Sequence, residues 1–124
     1  MKKILIAEDN AVNRELLREL LEARGYAVEE ATNGLEALQM VAETKPDALL
    51  LDLNMPVLDG FATVQKIREH PEMASLPVLA VTAYAMRGDR DKALAAGFDE
   101  YLSKPISGSA LDEGLERIWK KERH

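Results

Sequence analysis

The sequence predicts an α/β fold in which helices cover both faces of a parallel five-stranded sheet. Apolar runs of four or five residues alternate with segments whose apolar residues recur at helical spacing, a pattern typical of repeated βαβ units. The chain has 124 residues, 47% of them hydrophobic, which is enough to bury the core of one domain. We therefore expect residues 1–124 to form a single domain.

The first strand is predicted over residues 3–7 and the first helix over residues 11–24. Asn10 can cap the start of this helix, and Gly25 suits its end. One face of the helix carries five apolar residues at helical spacing: Val12, Leu16, Leu17, Leu20 and Leu21.

The second strand, residues 26–31, is less apolar than the first, which favours a position at the edge of the sheet. A helix over residues 34–44 follows, and Asn33 can cap its start. Its inward-facing residues are expected to be Ala37, Leu38, Val41 and Ala42. The third strand is predicted over residues 47–52 and ends in Asp52.

The third helix is predicted over residues 59–69 and the fourth strand over residues 78–82. The core contacts of this helix are expected to be Phe61, Val64 and Ile67. A fourth helix, residues 87–96, ends before Gly97 and is mostly charged in its first half. Because it has little apolar surface to bury, it should be among the less stable elements.

The last strand is predicted over residues 99–103 and the last helix over residues 107–121, with Ser107 or Ser109 as its cap. This helix should turn four residues inward: Leu111, Leu115, Ile118 and Trp119. Right-handed crossovers with one reversal of direction predict the flavodoxin-like strand order 2-1-3-4-5. The reversal lies between strands 1 and 3.

Polar residues follow four of the apolar strands. Glu8 and Asp9 come after the first strand, Asp52 and Thr82 end the third and fourth, and Lys104 follows the fifth. An acid at the end of a buried strand is costly unless it is paired or functional. The carboxyl ends of parallel strands meet at one edge of the sheet, where ligands bind, so these five side chains should lie together.

Three carboxylates in one crevice repel one another unless a cation neutralises them. Mg²⁺ prefers oxygen ligands and binds one or two carboxylates together with phosphate and water. Glu8, Asp9 and Asp52 are therefore candidate ligands, together with the backbone carbonyl of Asn54. The alternative, three separately solvated loop acids, is disfavoured because the topology brings the strand ends together.

Asp52 is also a candidate nucleophile, since a carboxylate can attack phosphorus and form an acyl phosphate. Such a reaction needs positioning and charge neutralisation, which Mg²⁺ and Lys104 can supply, and Thr82 can donate its hydroxyl to a phosphoryl oxygen. Taken singly, Thr82 can equally be a strand residue without a task, and Tyr101 is a core aromatic by default. Whether the peptide bond between Lys104 and Pro105 is cis stays open.

Taken together, these motifs resemble the receiver domain of two-component response regulators, the CheY-like superfamily. The resemblance covers essentially the whole chain and is specific because every motif occurs in order at a strand end. The matching segments are Glu8-Asp9-Asn10, Leu51-Asp52-Leu53-Asn54-Met55-Pro56, Asp59-Gly60, Thr82-Ala83 and Lys104-Pro105.

The resemblance implies that Asp52 accepts a phosphoryl group from a histidine of a sensor kinase or phosphotransfer protein. It implies a Mg²⁺ site made of Glu8, Asp9, Asp52 and the carbonyl of Asn54. Lys104 and Thr82 would contact the phosphoryl oxygens, and Tyr101 matches the family's switch aromatic. Asn54 and Tyr84 occupy positions that tune the lifetime of the aspartyl phosphate.

Residues 81–89 and 104–107 look like those of DivK-type single-domain regulators and of receivers in hybrid histidine kinases. The chain begins at a plausible native Met1 and carries no output module, so output through a downstream protein is expected if it is complete. Helix 4, strand 5 and helix 5 would form the switch face, and helix 1 would dock the kinase. Homodimerisation stays open.

Composition argues against several other roles. A net charge of −6 argues against nucleic acid as a partner, and the absence of cysteine excludes disulfide and thiolate chemistry. No apolar run reaches membrane-spanning length, and the N-terminal apolar run is too short for a signal peptide. We expect a cytoplasmic signalling protein whose only chemistry is its own phosphorylation and slow dephosphorylation.

Three alternatives remain beside this interpretation. A Mg²⁺-dependent phosphohydrolase usually needs a second, general-acid aspartate near the nucleophile, but position 54 is Asn and no cap domain is evident. A receiver-like module that binds partners without phosphorylation would not need all of these residues. A flavin or nucleotide binder needs a glycine-rich loop after strand 1, where the acids Glu8 and Asp9 would repel phosphate.

Overall fold

The computed structural model describes residues 1–83 and 87–122 and contains five strands that alternate with five helices. In chain order these are β1 Lys3–Ala7, α1 Ala11–Glu22, β2 Ala27–Ala31, α2 Gly34–Thr44, β3 Ala48–Asp52, α3 Gly60–Glu69, β4 Val78–Thr82, α4 Asp89–Ala96, β5 Glu100–Ser103 and α5 Gly108–Glu122.

All four strand pairings are parallel, and the order across the sheet is β2-β1-β3-β4-β5. This confirms the flavodoxin-like order and places β2 at an edge, as its weaker apolar character predicts. The direction of the strand order reverses between β1 and β3, where Ala7 pairs with Leu51. A crevice therefore opens beyond the carboxyl ends of these two strands.

The sheet separates two apolar cores. One core packs β-strand residues against α2, α3 and α4, and the other packs them against α1 and α5. Leu49 and Leu51 point into the first core, whereas Ala48 and Leu50 point into the second, because successive strand residues face opposite sides. Strands β3 and β4 are buried along their whole length since helices cover both of their faces.

The predicted apolar face of α1 is wrong in part. Leu17 and Leu21 are buried, but Val12 is 73% exposed and Leu16 is 48% exposed. Residues five positions apart lie about 140° apart around a helix, so Val12 and Leu17 cannot both face the sheet. The helix also ends at Glu22 rather than at residue 24, and Gly25 adopts a φ of 87° in the turn that follows.

The other differences from prediction are small. Ala42 is exposed rather than inward, because it lies about 100° around α2 from the buried Val41. Helix α4 begins at Asp89 rather than residue 87 and buries only Ala93, which agrees with its weak amphipathic pattern. Ser107 is the cap of α5, since its hydroxyl accepts a hydrogen bond from the amide of Ala110 at 3.1 Å. The remaining predicted bounds agree within one residue.

Among residues 1–83 and 87–122, no helix has the length and apolar character needed to cross a membrane.

Candidate functional site at the carboxyl ends of the strands

Asp52 is the last residue of β3, and its side chain is held from two directions. One carboxylate oxygen, Oδ1, accepts a hydrogen bond from the amide of Asn54 at 3.0 Å. The other, Oδ2, lies 3.2 Å from the ammonium of Lys104. The residue is only 5% exposed because β3 lies at the centre of the sheet. Asp52 is thus a buried, oriented carboxylate with a cationic partner.

The turn after β1 brings two further acids to Asp52. The amide of Glu8 donates to the carbonyl of Ala31 at 3.0 Å, which extends the β1–β2 pairing past the end of β1. Glu8 is 1% exposed, and its carboxylate accepts a hydrogen bond from the amide of Asn10 at 3.2 Å, whereas Asp9 is exposed. One oxygen from each of Glu8, Asp9 and Asp52 lies within 4.8 Å of the others.

Lys104 connects the two sides of this acidic crevice. Its ammonium donates to Asp52 and, at closer range, to Glu8. Its amide donates to the carbonyl of Thr82 at 2.8 Å, and the peptide bond to Pro105 is cis. Burial lowers the pKa of Lys104, but the hydrogen bond that it donates to Glu8 and the charges of both acids outweigh this effect, so the pKa is raised overall.

Thr82 ends β4 and is buried beside Asp52 in the sheet. Its hydroxyl oxygen lies 3.5 Å from the side-chain nitrogen of Asn54, a long hydrogen bond. Asn54 thereby connects Thr82 to Asp52, because its own amide donates to the Asp52 carboxylate. The structure brings Thr82 and Asn54 to the rim where the sequence predicts them.

Tyr101 lies in β5, where its ring packs against the core that contacts α3 and α4. Its hydroxyl is buried and has no hydrogen-bond partner within the described part of the chain. Burial, with a smaller contribution from the charge of Asp89, raises the pKa of Tyr101. The predicted lifetime-tuning residue Tyr84 lies outside the described residues.

The chemistry of the donor set fits Mg²⁺. Three carboxylates converge on one point, and opposite ligands of octahedral Mg²⁺ stand about 4.2 Å apart, or twice the bond length of about 2.1 Å. The observed spread of up to 4.8 Å is close to this span. Glu8, Asp9 and Asp52 could therefore hold the ion directly or through its waters, and the fourth ligand predicted, the carbonyl of Asn54, stays a prediction.

Sequence reasoning missed two charged residues near these elements. Arg14 in α1 donates hydrogen bonds to the carbonyl oxygens of Glu8 and Asp9. Glu100 in β5 is buried and accepts a hydrogen bond from Arg117 of α5 at 2.9 Å. Glu100 is the first residue of the short strand β5, and nothing in the sequence distinguishes it from the neighbouring Asp99 or distinguishes Arg14 from any other helical arginine.

A sequence model of the response regulator receiver domain matches residues 4–116. Among curated proteins, the polar-differentiation response regulator DivK of Brucella anthropi is 42% identical over 106 residues, which is 86% of either chain. DivK of Brucella ovis is 41% identical over the same length and share.

Solved structures show the same likeness. A response regulator from Chloroflexus aurantiacus superposes with a TM-score of 0.89 at 33% identity, over 94% of this chain and 96% of that one. The receiver domain of a sensor histidine kinase from Pseudomonas aeruginosa gives a TM-score of 0.86 at 36% identity, with the same two shares. That receiver has a magnesium ion coordinated in its active-site cleft.

Proposed function

This chain belongs to the response regulator receiver domain family and works in two-component signalling, and from this we propose that Asp52 is its phosphoacceptor. The observation that carries the proposal is the position of Lys104. Its ammonium lies between the buried carboxylates of Asp52 and Glu8, at the edge of the sheet where ligands bind in this class of fold.

The proposed reaction is a phosphoryl transfer from a phosphohistidine. An oxygen of Asp52 attacks phosphorus as the phosphorus–nitrogen bond breaks, the imidazole leaves with the bonding electrons, and an acyl phosphate forms on Asp52. Mg²⁺ held by Glu8, Asp9, Asp52 and the carbonyl of Asn54 would neutralise charge on the phosphoryl oxygens. Receiver domains bind Mg²⁺ at such an acidic site, and the carboxylate cluster of this chain supports the same role.

Two residues would then change their contacts. Lys104, which now contacts Asp52, would bind a phosphoryl oxygen, and the hydroxyl of Thr82 would bind another. Because the phosphoryl group binds better to the arrangement that offers both contacts, it shifts the population toward that arrangement. Tyr101 would change its side-chain position with this shift and so alter the surface around β5. Asn54 and Tyr84 would set the lifetime of the acyl phosphate.

The phosphoryl donor is proposed to be a histidine kinase or histidine phosphotransfer protein that docks on α1. Val12 and Leu16 support this, because they are apolar side chains of α1 that are exposed and available to a partner. Leu16 also borders a groove formed with Pro105 and Ile106. Lys104 lines the same groove, so a partner seated there would reach the site. A downstream protein would bind the face made by α4, β5 and α5, where homodimerisation could also take place.

Receivers are signalling modules rather than conventional enzymes, and the relatives favour neither a phosphohydrolase nor a binding module that is never phosphorylated. We further propose that residues 1–124 form a single receiver domain, since all five strands belong to one sheet. The cytoplasmic location expected from the cysteine-free sequence is part of the same proposal.

The test is the intact mass of the protein after incubation with acetyl phosphate and Mg²⁺. The wild type should gain one phosphoryl group, and Asp52→Asn should gain none. Asp59→Asn is the matched control, because Asp59 lies in the next loop and caps α3 through an oxygen that asparagine retains. Labelling that persists in Asp52→Asn would contradict the assignment of Asp52.

A further inference from the structure

Arg14 lies against the turn that carries Glu8 and Asp9 and is only partly buried. Its terminal nitrogen Nη1 donates to the carbonyl of Glu8 at 2.9 Å and to the carbonyl of Asp9 at 3.2 Å. Its Nε donates to the carboxylate of Glu30 in β2 at 3.1 Å. One guanidinium therefore connects two successive peptide groups of the turn to a neighbouring strand.

These contacts restrain the backbone that carries the Asp9 side chain. The two carbonyls belong to the peptide groups on either side of Asp9, and fixing both restricts the backbone dihedrals of that residue. Asp9 is exposed, so packing around its side chain contributes little to its orientation. The planar guanidinium donates to both carbonyls through Nη1 and to Glu30 through Nε. A lysine ammonium has no second nitrogen and cannot reproduce this fixed link between the turn and β2.

Arg14 is itself held in place. Glu30 accepts from Arg14 and, through its other oxygen, from Nε of Arg18 at 2.8 Å. Arg18 also donates hydrogen bonds to the carboxylate of Glu22 and to the carbonyl of Val28. In the described structure it does not contact the carbonyls of residues 8 and 9. Arg14 and Arg18 thus share Glu30 but differ in whether they touch the acidic turn.

We propose that Arg14 is a positioning residue for the cation site, which it serves by orienting the Glu8–Asp9 backbone. The inference rests on the proposed Mg²⁺ site and adds a residue that does not bind the ion. The partners that orient metal ligands usually affect metal affinity by about 10- to 100-fold when they are removed. Because Arg14 acts through backbone carbonyls, the lower end, about tenfold, is expected.

The charge of Arg14 predicts the opposite effect, which makes the inference testable. A cation near three carboxylates repels Mg²⁺, so its removal should strengthen binding if charge were its only contribution. Positioning predicts weaker binding in Arg14→Met and also in Arg14→Lys, where the charge remains and the fork is lost.

The experiment is a Mg²⁺ titration of the unphosphorylated protein, followed by the amide NMR shifts of residues 8–10 and 52–54. The dissociation constant should rise about tenfold in both Arg14 variants and stay within about twofold of the wild type in Arg18→Met. Unchanged or tighter binding in Arg14→Lys and Arg14→Met overturns the inference, and so does equal weakening in Arg18→Met.

A second readout needs no metal. The amide of Glu8 bonds to the carbonyl of Ala31, and the amide of Asn10 bonds to the Glu8 carboxylate. Hydrogen exchange at both amides should be faster in Arg14→Lys than in the wild type, at an unchanged melting temperature. Equal exchange at both amides would also overturn the inference. Asp9→Asn separates the two proposals: if it binds Mg²⁺ as tightly as the wild type, the cation site itself is wrong. If Asp9→Asn weakens binding and the Arg14 variants do not, only the role of Arg14 is wrong.

Discussion

Lys104 and Asp52 are 52 positions apart in the chain, yet the ammonium of one lies 3.2 Å from a carboxylate oxygen of the other. The same ammonium also contacts Glu8, so one cation serves two buried acids. This arrangement exists because β1, β3 and β5 end at the same edge of the sheet. The lysine proposed to bind a phosphoryl oxygen therefore also neutralises two buried acids in the unphosphorylated protein.

Replacing Lys104 by methionine should lower the free energy of unfolding by about 3 kcal/mol in the absence of metal, because two buried carboxylates lose their cation. Mg²⁺ should restore much of this loss by binding the same acids. Urea unfolding with EDTA and with Mg²⁺ measures both effects. The double variant that adds Asp52→Asn should be less destabilised than the single one, since it removes one unpaired acid. Equal stability of wild type and Lys104→Met in EDTA would contradict the prediction.

Lys104→Ala should also remove the effect of phosphorylation on the binding of a downstream partner. The acyl phosphate should still form on Asp52, but the affinity for a downstream partner should no longer respond to it. An unchanged response to phosphorylation would rule out this role for Lys104.

The position of the site could be predicted from a few residues because parallel topology brings strand ends together whatever the intervening helices contain. Glu8, Asp52 and Lys104 illustrate this, since each directly ends or follows a strand. The partners of Arg14 could not be predicted in this way. They depend on how α1 is oriented relative to the turn before it and to Glu30 in β2, and this orientation is set by tertiary packing. The same reason explains Val12 and Leu16, whose apolar character indicates a buried face that the orientation of α1 leaves exposed.

Val57 adopts a φ of 70°, in the left-handed region that β-branched residues rarely occupy, and its side chain is 76% exposed. Asparagine tolerates this region better, so Val57→Asn should stabilise the protein by about 1 kcal/mol in urea unfolding. Val12→Asn is the control, because Val12 is similarly exposed but lies in regular helix. Equal stabilisation of both variants would show that relief of backbone strain is not the source of the gain. No stabilisation of Val57→Asn would show that the φ of Val57 costs little free energy.

Asp112 of α5 and Arg24, in the turn that follows α1, form an ion pair on the protein surface. The hydrogen bond from Arg24 lowers the pKa of Asp112 below its ordinary value of 3.8. A lowered pKa in the folded state means that this pair stabilises the fold above about pH 3.8 and that its contribution is lost as the pH falls through the folded-state pKa. Arg24→Met should therefore raise the pKa of Asp112 in an NMR titration, whereas Arg18→Met should not change it. An unaltered titration in Arg24→Met would refute the assignment.

Glu100 joins the two helices of the proposed switch face. Its buried carboxylate lies 2.9 Å from Arg117 of α5 and 3.8 Å from Arg90 of α4, two arginines that are each about half exposed. Arg117→Met should cost about 2 kcal/mol, because it leaves a buried carboxylate with a distant partner, whereas Arg90→Met should cost less than about 1 kcal/mol. Replacing Glu100 and Arg117 together by apolar residues should recover part of the loss. Additive effects in this double-mutant cycle would show that the two side chains are not coupled.

The hydroxyl of Tyr101 is buried without a hydrogen-bond partner in the described structure, although the ring packs well. A buried polar group that lacks a partner costs about 1–3 kcal/mol, so Tyr101→Phe should increase the free energy of unfolding by about 1 kcal/mol. If Tyr101 also moves when Asp52 is phosphorylated, the gain should differ between the free protein and the protein with a phosphoryl analogue bound. Urea unfolding of wild type and Tyr101→Phe, with and without beryllofluoride and Mg²⁺, measures both quantities. A loss of stability in the free protein would mean that the hydroxyl is paired, and an identical gain in both states would argue against a switch at this residue.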